Sequence, residues 1–257
     1  MSIATQRQIH RLIERVQSLY AAPELPFPEL AWRRMVQDAE RLRAQCGESE
    51  LEGLVLLGVL APLRCDQAAF CQYFAEAAQK FPQDEMVWVN EAVFAPYLGL
   101  LGHSAEIFRA HWGQIKAAPD LWAFVLETCL WCGLAGAAEE ISMALEKIGQ
   151  APADLRGHGL ARALRARGVS DAEFNRVADI AAQAAMRSTG SRMRGFWLSG
   201  DDAYGYSFRF QFDAPLAQLV DASVAMAEAV TAQVDDPLGD LVTFSAVGVD
   251  GGATRGG

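Results

Sequence analysis

The chain has 257 residues and a formal net charge of −10, with 51% hydrophobic and 21% charged residues. Such a composition indicates a globular protein with a real core, in one large or two small domains. The negative charge disfavours non-specific binding to nucleic acid or to an anionic membrane. The longest uncharged apolar run, 53–63, is far shorter than the roughly 18 residues needed to cross a bilayer. We therefore expect no membrane-bound state.

The cysteines and the N-terminus predict a cytoplasmic location. The cysteine count is five, which is odd, and the spacings form no disulfide framework. Residues 1–15 contain no continuous apolar stretch of the kind found in a secretory signal. The thiols are therefore expected to be reduced, as is usual in the cytosol.

Two amphipathic helices are predicted over residues 1–50. Apolar residues recur at helical spacing over 3–20 and again over 29–45. Three prolines in 22–30 block helix formation and indicate an extended connector. Gly47 is the predicted C-cap of the second helix.

A 34-residue period organises the middle of the chain. Offsetting the sequence by 34 aligns Trp88 with Trp122, Gly99 with Gly133, Gly102 with Gly136 and Ile107 with Ile141. Residues 54–87 fit the same frame more loosely. A period of this length is typical of stacked helical hairpins, each too small to bury its apolar face alone. The predicted repeat domain covers residues 51–187.

Three hairpins and two further helices are predicted within this domain. The hairpins pair 51–63 with 66–80, 85–101 with 104–116, and 121–134 with 137–148. Residues 99–102 and 133–136 are the predicted turns, because two glycines three residues apart suit a tight reversal. Helices over 155–167 and 171–186 follow, and the domain ends at the polar break 187–190.

The period changes from helical to strand-like after this break. Tyr206, Phe208, Phe210 and Phe212 alternate with polar residues, which is typical of a half-buried strand. We predict a partner strand at 193–199, a helix at 215–234 and a third strand at 241–249. This β-β-α-β order gives a small α+β domain over 191–250, followed by a flexible tail at 251–257. The predicted fold class is mostly α with this small α+β domain.

The repeat resembles the tetratricopeptide family. Pro82 and Trp88 match the closing proline of one family unit and the tryptophan of the next, and Leu57-Gly58 matches the family's Leu-Gly pair. Units two and three depart from the pattern, since Lys116 and Gln150 stand where a closing proline is usual. The resemblance spans about residues 51–155, and related helical-hairpin repeats share the same architecture. It implies an α-hairpin solenoid.

The resemblance also implies a concave groove lined by the first helix of each unit. The lining residues would be Val55, Val59, Val89, Val93, Tyr97, Glu127 and Trp131. This surface is mostly apolar and lacks the Lys and Asn with which some family members bind C-terminal carboxylates. An apolar groove suits an amphipathic helix of a partner, as in the tetratricopeptide-like chaperones of bacterial secretion systems. The alternative is that the chain's own first helices or its C-terminal domain fill the groove.

No catalytic, cofactor or metal site is predicted. Cys129 and Cys132 have the spacing of redox and zinc motifs, but they fall within a helix and no second pair exists, so buried thiols are expected. The four histidines make no metal spacing, and no P-loop or dinucleotide fingerprint occurs. The acidic pairs 201–202 and 235–236 could bind a cation, although acidic turns are usually just solvated.

We therefore predict a non-enzymatic protein-binding adaptor or chaperone that holds a helix or extended segment of a partner protein. One alternative is an acidic inhibitor, of the immunity or antitoxin type, of a basic partner. A second is a small ligand-binding or enzymatic C-terminal domain, with the strand 206–212 lining its pocket and the repeats as a docking arm. The strand 241–249 could also pair with a second copy, because only Asp240 and Asp250 flank it.

Overall fold

The computed structural model describes residues 14–21, 27–150, 156–201, 203–234, 238 and 241–249. The predicted tail at 251–257 and most of the connector at 22–30 lie outside these residues. The chain divides into two compact units, residues 1–94 and 95–257.

The first unit is helical. Helix α1 is described over 14–21, and it is followed by α2 (Glu29–Arg43), α3 (Glu48–Leu60), a 3-10 turn (Ala61–Arg64), α4 (Gln67–Lys80) and α5 (Glu85–Phe94). Helix α3 is buried from Leu51 to Leu60, because α2 packs on one side of it and α4 and α5 on others. Gly47 is the N-cap of α3, not the predicted C-cap of α2, which is Ala44.

The described residues of the second unit form further helices and three strands. It contains a 3-10 turn (Ala95–Leu98), α6 (Leu101–Ala110), α7 (Trp112–Ala117), α8 (Pro119–Trp131), α9 (Ala135–Lys147), α10 (Arg156–Ala166), α11 (Asp171–Thr189), β1 (Met193–Asp201), β2 (Gly205–Phe212), α12 (Leu216–Gln233) and β3 (Val242–Gly248). The predicted order β-β-α-β is confirmed, and the fold is mostly helical with one small sheet. The predicted helix 104–116 is in fact two helices, interrupted at His111.

Local backbone structure recurs at the 34-residue spacing of the sequence. Helices α4, α6 and α9 begin at Gln67, Leu101 and Ala135, and the two 3-10 turns begin at Ala61 and Ala95. The residue two positions before each of these helices has left-handed backbone: Cys65 (φ 54°), Gly99 (φ 71°) and Gly133 (φ 73°). The reversal therefore needs only one left-handed residue per hairpin. The second glycine of each predicted turn, Gly102 or Gly136, lies inside the following helix.

The sheet has the order β1-β2-β3, with β1 antiparallel and β3 parallel to β2. Phe208 pairs with Leu198 in β1 and with Phe244 in β3. The aromatic residues of β2 occupy every second position, so they share one face of the sheet. That face is sealed: Phe208, Phe210 and Phe212 have no exposed surface. Helix α12 packs on β3, and α11 contributes Phe174, whose ring lies 5.9 Å from that of Phe208.

Helix α11 explains why no division of the chain falls at the predicted break, 187–190. This helix packs extensively against α12 and also against α6 and α9. It therefore belongs to the core of the sheet and to the hairpins at once. A capping box at Ser170 and Glu173 starts it, and Gly190, with φ 62°, ends it.

Candidate functional site

The predicted groove is largely covered by the chain itself in the first unit. Val55, Val59 and Val89 are buried, and Val93 is half-buried. Tyr20 of α1 donates its hydroxyl hydrogen to the Val59 carbonyl at 2.7 Å. Its ring also lies 5.2 Å from that of Phe94. These three valines are therefore buried and do not line an open groove.

Trp131, a predicted groove residue of the second unit, is covered by the sheet. The ring of Trp131 lies 4.9 Å from that of Tyr97 and 6.0 Å from that of Phe196 in β1, and Trp131 is only 4% exposed. Burial raises the pKa of Tyr97, with a further contribution from the nearby carboxylate of Glu127. Of the seven predicted groove residues, all of which are described, Glu127 alone is exposed. The alternative in which the chain fills its own groove agrees with these contacts.

The sealed aromatic face excludes one predicted pocket. One alternative prediction has the strand 206–212 lining a ligand site in the C-terminal domain, but its apolar side chains face the core between α11, α12 and the sheet. The rings of Trp131, Phe196 and Phe208 follow one another at 6.0 Å and 5.5 Å, so this aromatic cluster also joins α8 to the sheet. Its role is packing.

The cysteine pair is buried, as predicted. Cys129 and Cys132 have no exposed surface, and burial raises the pKa of both thiols, that of Cys132 to about 12. The Cys132 thiol donates to the Ser104 hydroxyl at 3.1 Å. Thiols with raised pKa values are poor nucleophiles and poor metal ligands at neutral pH.

The acidic turns offer no assembled cation site in the described part of the chain. Asp201 accepts hydrogen bonds from the backbone N–H groups of Ala203 and Tyr204, as a turn-forming aspartate does. Its predicted companions, 202, 235 and 236, lie outside the described residues. Within the described ranges, no group of three or more His, Cys, Asp or Glu could hold a metal ion.

Two aspartates of α11 cap two helices of the hairpins. Asp179 accepts from the Gly102 N–H at 2.7 Å, in the first turn of α6. Asp171 accepts from the N–H groups of Gly136 at 2.9 Å and Ala137 at 3.1 Å, in the first turn of α9. Asp171 and Asp179 are eight residues apart on α11, a rise of about 12 Å. Their partners Gly136 and Gly102 are 34 residues apart, so this rise corresponds to one repeat.

The recurring glycines were the sequence signal for this arrangement. A Cβ at Gly136 would lie 3.2 Å from both carboxylate oxygens of Asp171, and one at Gly102 would lie 3.4 Å from Asp179. These glycines leave room for the capping carboxylates to approach. The sequence shows the glycines but predicts turns at them, because the acceptors come from a distant helix.

An exposed apolar stripe follows the outer face of α12. Leu216, Val220 and Val224 are 76%, 55% and 52% exposed, and they recur every four residues, so they share one side of the helix. Asp221 and Glu228 are exposed along one flank of this stripe, and α12 contains no basic residue. We call these five residues the α12 stripe and its acidic flank.

A cleft of about 330 Å³ opens between α6, α7, α9 and the start of α11. Its lining combines apolar walls with charged side chains: Phe108, Arg109, Trp112, Leu134, Gly136, Ala137, Glu140 and Asp171. The interruption at His111 lies at this cleft. The corresponding α4 and α9 run unbroken, so the cleft forms where the second hairpin departs from the repeated structure.

Comparison with known proteins gives no further guide to the site. No protein-family model matches the chain, and no curated protein or solved structure matches it significantly. No helix in the described ranges combines the length and the apolarity that a bilayer crossing requires.

Proposed function

We propose that this chain is a non-enzymatic adaptor that binds a partner protein through the α12 stripe. The observation that carries the proposal is the exposure of three large aliphatic side chains on one face of a well-packed helix. Leu216, Val220 and Val224 stay in contact with water although the opposite face of α12 buries Leu219, Ala222 and Met226. Contiguous exposed apolar patches are typical of interaction sites.

The proposed occupant is an amphipathic helix with basic residues beside its apolar face. A row of apolar side chains at four-residue spacing matches the anchor spacing of a helix laid alongside it. Asp221 and Glu228 would face the basic residues of the partner. This charge pairing would favour the orientation of the partner helix that places its basic side next to the acidic flank. The net charge of −10 would speed the encounter with a basic partner.

The hairpins would then serve as the scaffold. The 34-residue recurrence of helix starts and of left-handed turn residues supports a tetratricopeptide-like solenoid. In this proposal the chain itself occupies the concave face of that solenoid, and the partner binds to α12. A cytoplasmic location remains part of the proposal.

The test compares two double variants of α12 in the full-length protein. Val220→Glu with Val224→Glu places two carboxylates in the stripe, while Gln218→Glu with Ala232→Glu places two at exposed positions of the same helix outside it. Partners would be captured from the native host and identified by mass spectrometry. We expect the first variant to lose a partner that the second retains, with unchanged circular dichroism. A partner retained by both variants would contradict the proposal.

A further inference from the structure

We propose that the cleft beside Trp112 binds a free α-amino acid with an apolar side chain, in its zwitterionic form. Its volume of about 330 Å³ is at the lower end of the range of small-ligand sites, so a compact ligand fits best. This site is separate from the α12 stripe, and the inference does not depend on partner binding there.

The walls of the cleft suit an apolar side chain. Phe108 and Leu134 are buried, with 1% and 3% exposure, and Trp112 is half-buried. Trp112 is the first residue of α7, so the interruption at His111 sets its position. An indole ring and a buried phenyl ring together provide a large apolar contact area.

Arg109 is suited to bind the carboxylate of such a ligand. Its guanidinium donates one long bond, 3.4 Å, to the neutral amide oxygen of Asn175. In the described ranges it forms no ion pair with a carboxylate of the chain. A guanidinium has five N–H donors in a fixed fork, so most of them remain available for bidentate binding of a carboxylate.

Glu140 is suited to bind the ammonium group. It pairs with Lys116 at 3.1 Å, but both side chains are 52% exposed, and an exposed pair of this kind is weak and easily exchanged. Asp171 adds a second carboxylate to the lining, although its oxygens already accept from Gly136 and Ala137. The cleft therefore offers one cation and two carboxylates beside an apolar wall, which matches a ligand with both charges and an apolar group.

The first test uses chemical variants of one ligand on the wild-type protein. Isothermal titration calorimetry would compare L-phenylalanine with two derivatives that each lack one charge. N-acetyl-L-phenylalanine lacks the ammonium charge, and L-phenylalanine methyl ester lacks the carboxylate charge. Glycine would serve as the ligand without a side chain. We expect saturable binding of L-phenylalanine below about 10 mM and a loss of about tenfold or more for each of the others. Absence of binding, or equal affinity for the N-acetyl compound, would overturn the proposal.

The second test assigns each charge to its residue. Arg109→Gln should weaken binding of L-phenylalanine but leave the already weakened methyl ester unaffected. Glu140→Gln should weaken L-phenylalanine but leave the N-acetyl compound unaffected. Lys116→Gln, which frees Glu140 from its pair, should leave affinity unchanged or increase it. If both charge variants weakened all ligands equally, the cleft would not bind a zwitterion in this orientation and the proposal would fail.

Discussion

Replacing Asp171 with alanine removes the acceptors that hold the first turn of α9. The N-cap position of α9 is Leu134, whose side chain has no acceptor, so the N–H groups of Gly136 and Ala137 depend on Asp171. In Asp171→Ala both N–H groups lose their partner. The substitution also removes the favourable interaction between the carboxylate and the positive N-terminal end of α9.

The expected cost is about 2 kcal/mol. Removal of a capping side chain costs about 0.5–2 kcal/mol, and the interaction of a carboxylate with the helix N-terminus is worth about 0.3–1 kcal/mol. Water replaces part of the lost bonding, since the site is only half-buried. In a domain of this size each kcal/mol lowers the melting temperature by about 2–4 °C, so a decrease of about 4–8 °C is expected.

Thermal unfolding followed by far-UV circular dichroism measures this change. Asp221→Ala is the matched control, because Asp221 is an exposed aspartate in the middle of α12 and its loss should change stability by less than about 0.5 kcal/mol. Equal melting temperatures for the two variants would refute the capping argument.

A double-mutant cycle with Gly136 tests the geometry of the cap. In the wild type, a Cβ at position 136 would lie 3.2 Å from both oxygens of Asp171, so Gly136→Ala should destabilise the protein. In the Asp171→Ala background that obstacle is gone, and alanine should stabilise the helix relative to glycine by about 0.5–1 kcal/mol. Additive effects of the two substitutions would show that the carboxylate does not approach the glycine.

Three further predictions follow from burial and close packing. Burial raises the pKa of Asp179, so the folded state binds a proton more tightly than the unfolded chain. The corresponding stability is present at low pH and is lost as the pH rises through the folded pKa, and urea unfolding across this range should show the trend disappear in Asp179→Asn. Gly53→Ala should lower the free energy of unfolding by about 1–3 kcal/mol, because a Cβ there would lie 2.7 Å from the Ala39 carbonyl oxygen of α2. Gly113→Ala is the control in the same unfolding assay: a Cβ there meets open space, so this variant should be neutral or stabilising. Tyr20→Phe should lower the free energy of unfolding by about 1 kcal/mol, because it removes the hydrogen bond to the Val59 carbonyl. An unchanged free energy of unfolding would show that this hydrogen bond does not stabilise the packing of α1.

The face of the first hairpins that the sequence predicts as a partner groove is buried in the structure. The apolar residues Val55, Val59 and Val89 recur as a repeat architecture requires, and periodicity reveals which face is apolar. It does not reveal what covers that face. Tyr20 contacts Val59 from a helix predicted only as amphipathic. In the second unit, Phe196 packs on the predicted groove residue Trp131 from a strand far along the chain.

The cleft could not be predicted in the same way. His111 and Trp112 fall within a stretch whose apolar spacing is helical throughout, so the sequence predicts one helix over 104–116. The residues that complete the cleft, Glu140 and Asp171, are separated from Trp112 by 28 and 59 positions in the sequence and are brought to it only by the packing of α9 and α11.

The sequence by itself determined the local structure of this protein. The helix starts at 34-residue intervals, the left-handed glycines and the alternating strand at Tyr206 all follow from backbone sterics and from the period of apolar residues, which act over a few positions. Only the tertiary structure decided which helix ends Asp171 and Asp179 cap, and which apolar faces are covered and which, like that of α12, stay exposed. Those outcomes depend on contacts between distant segments, and a carboxylate or an aliphatic side chain carries no local mark of its eventual partner.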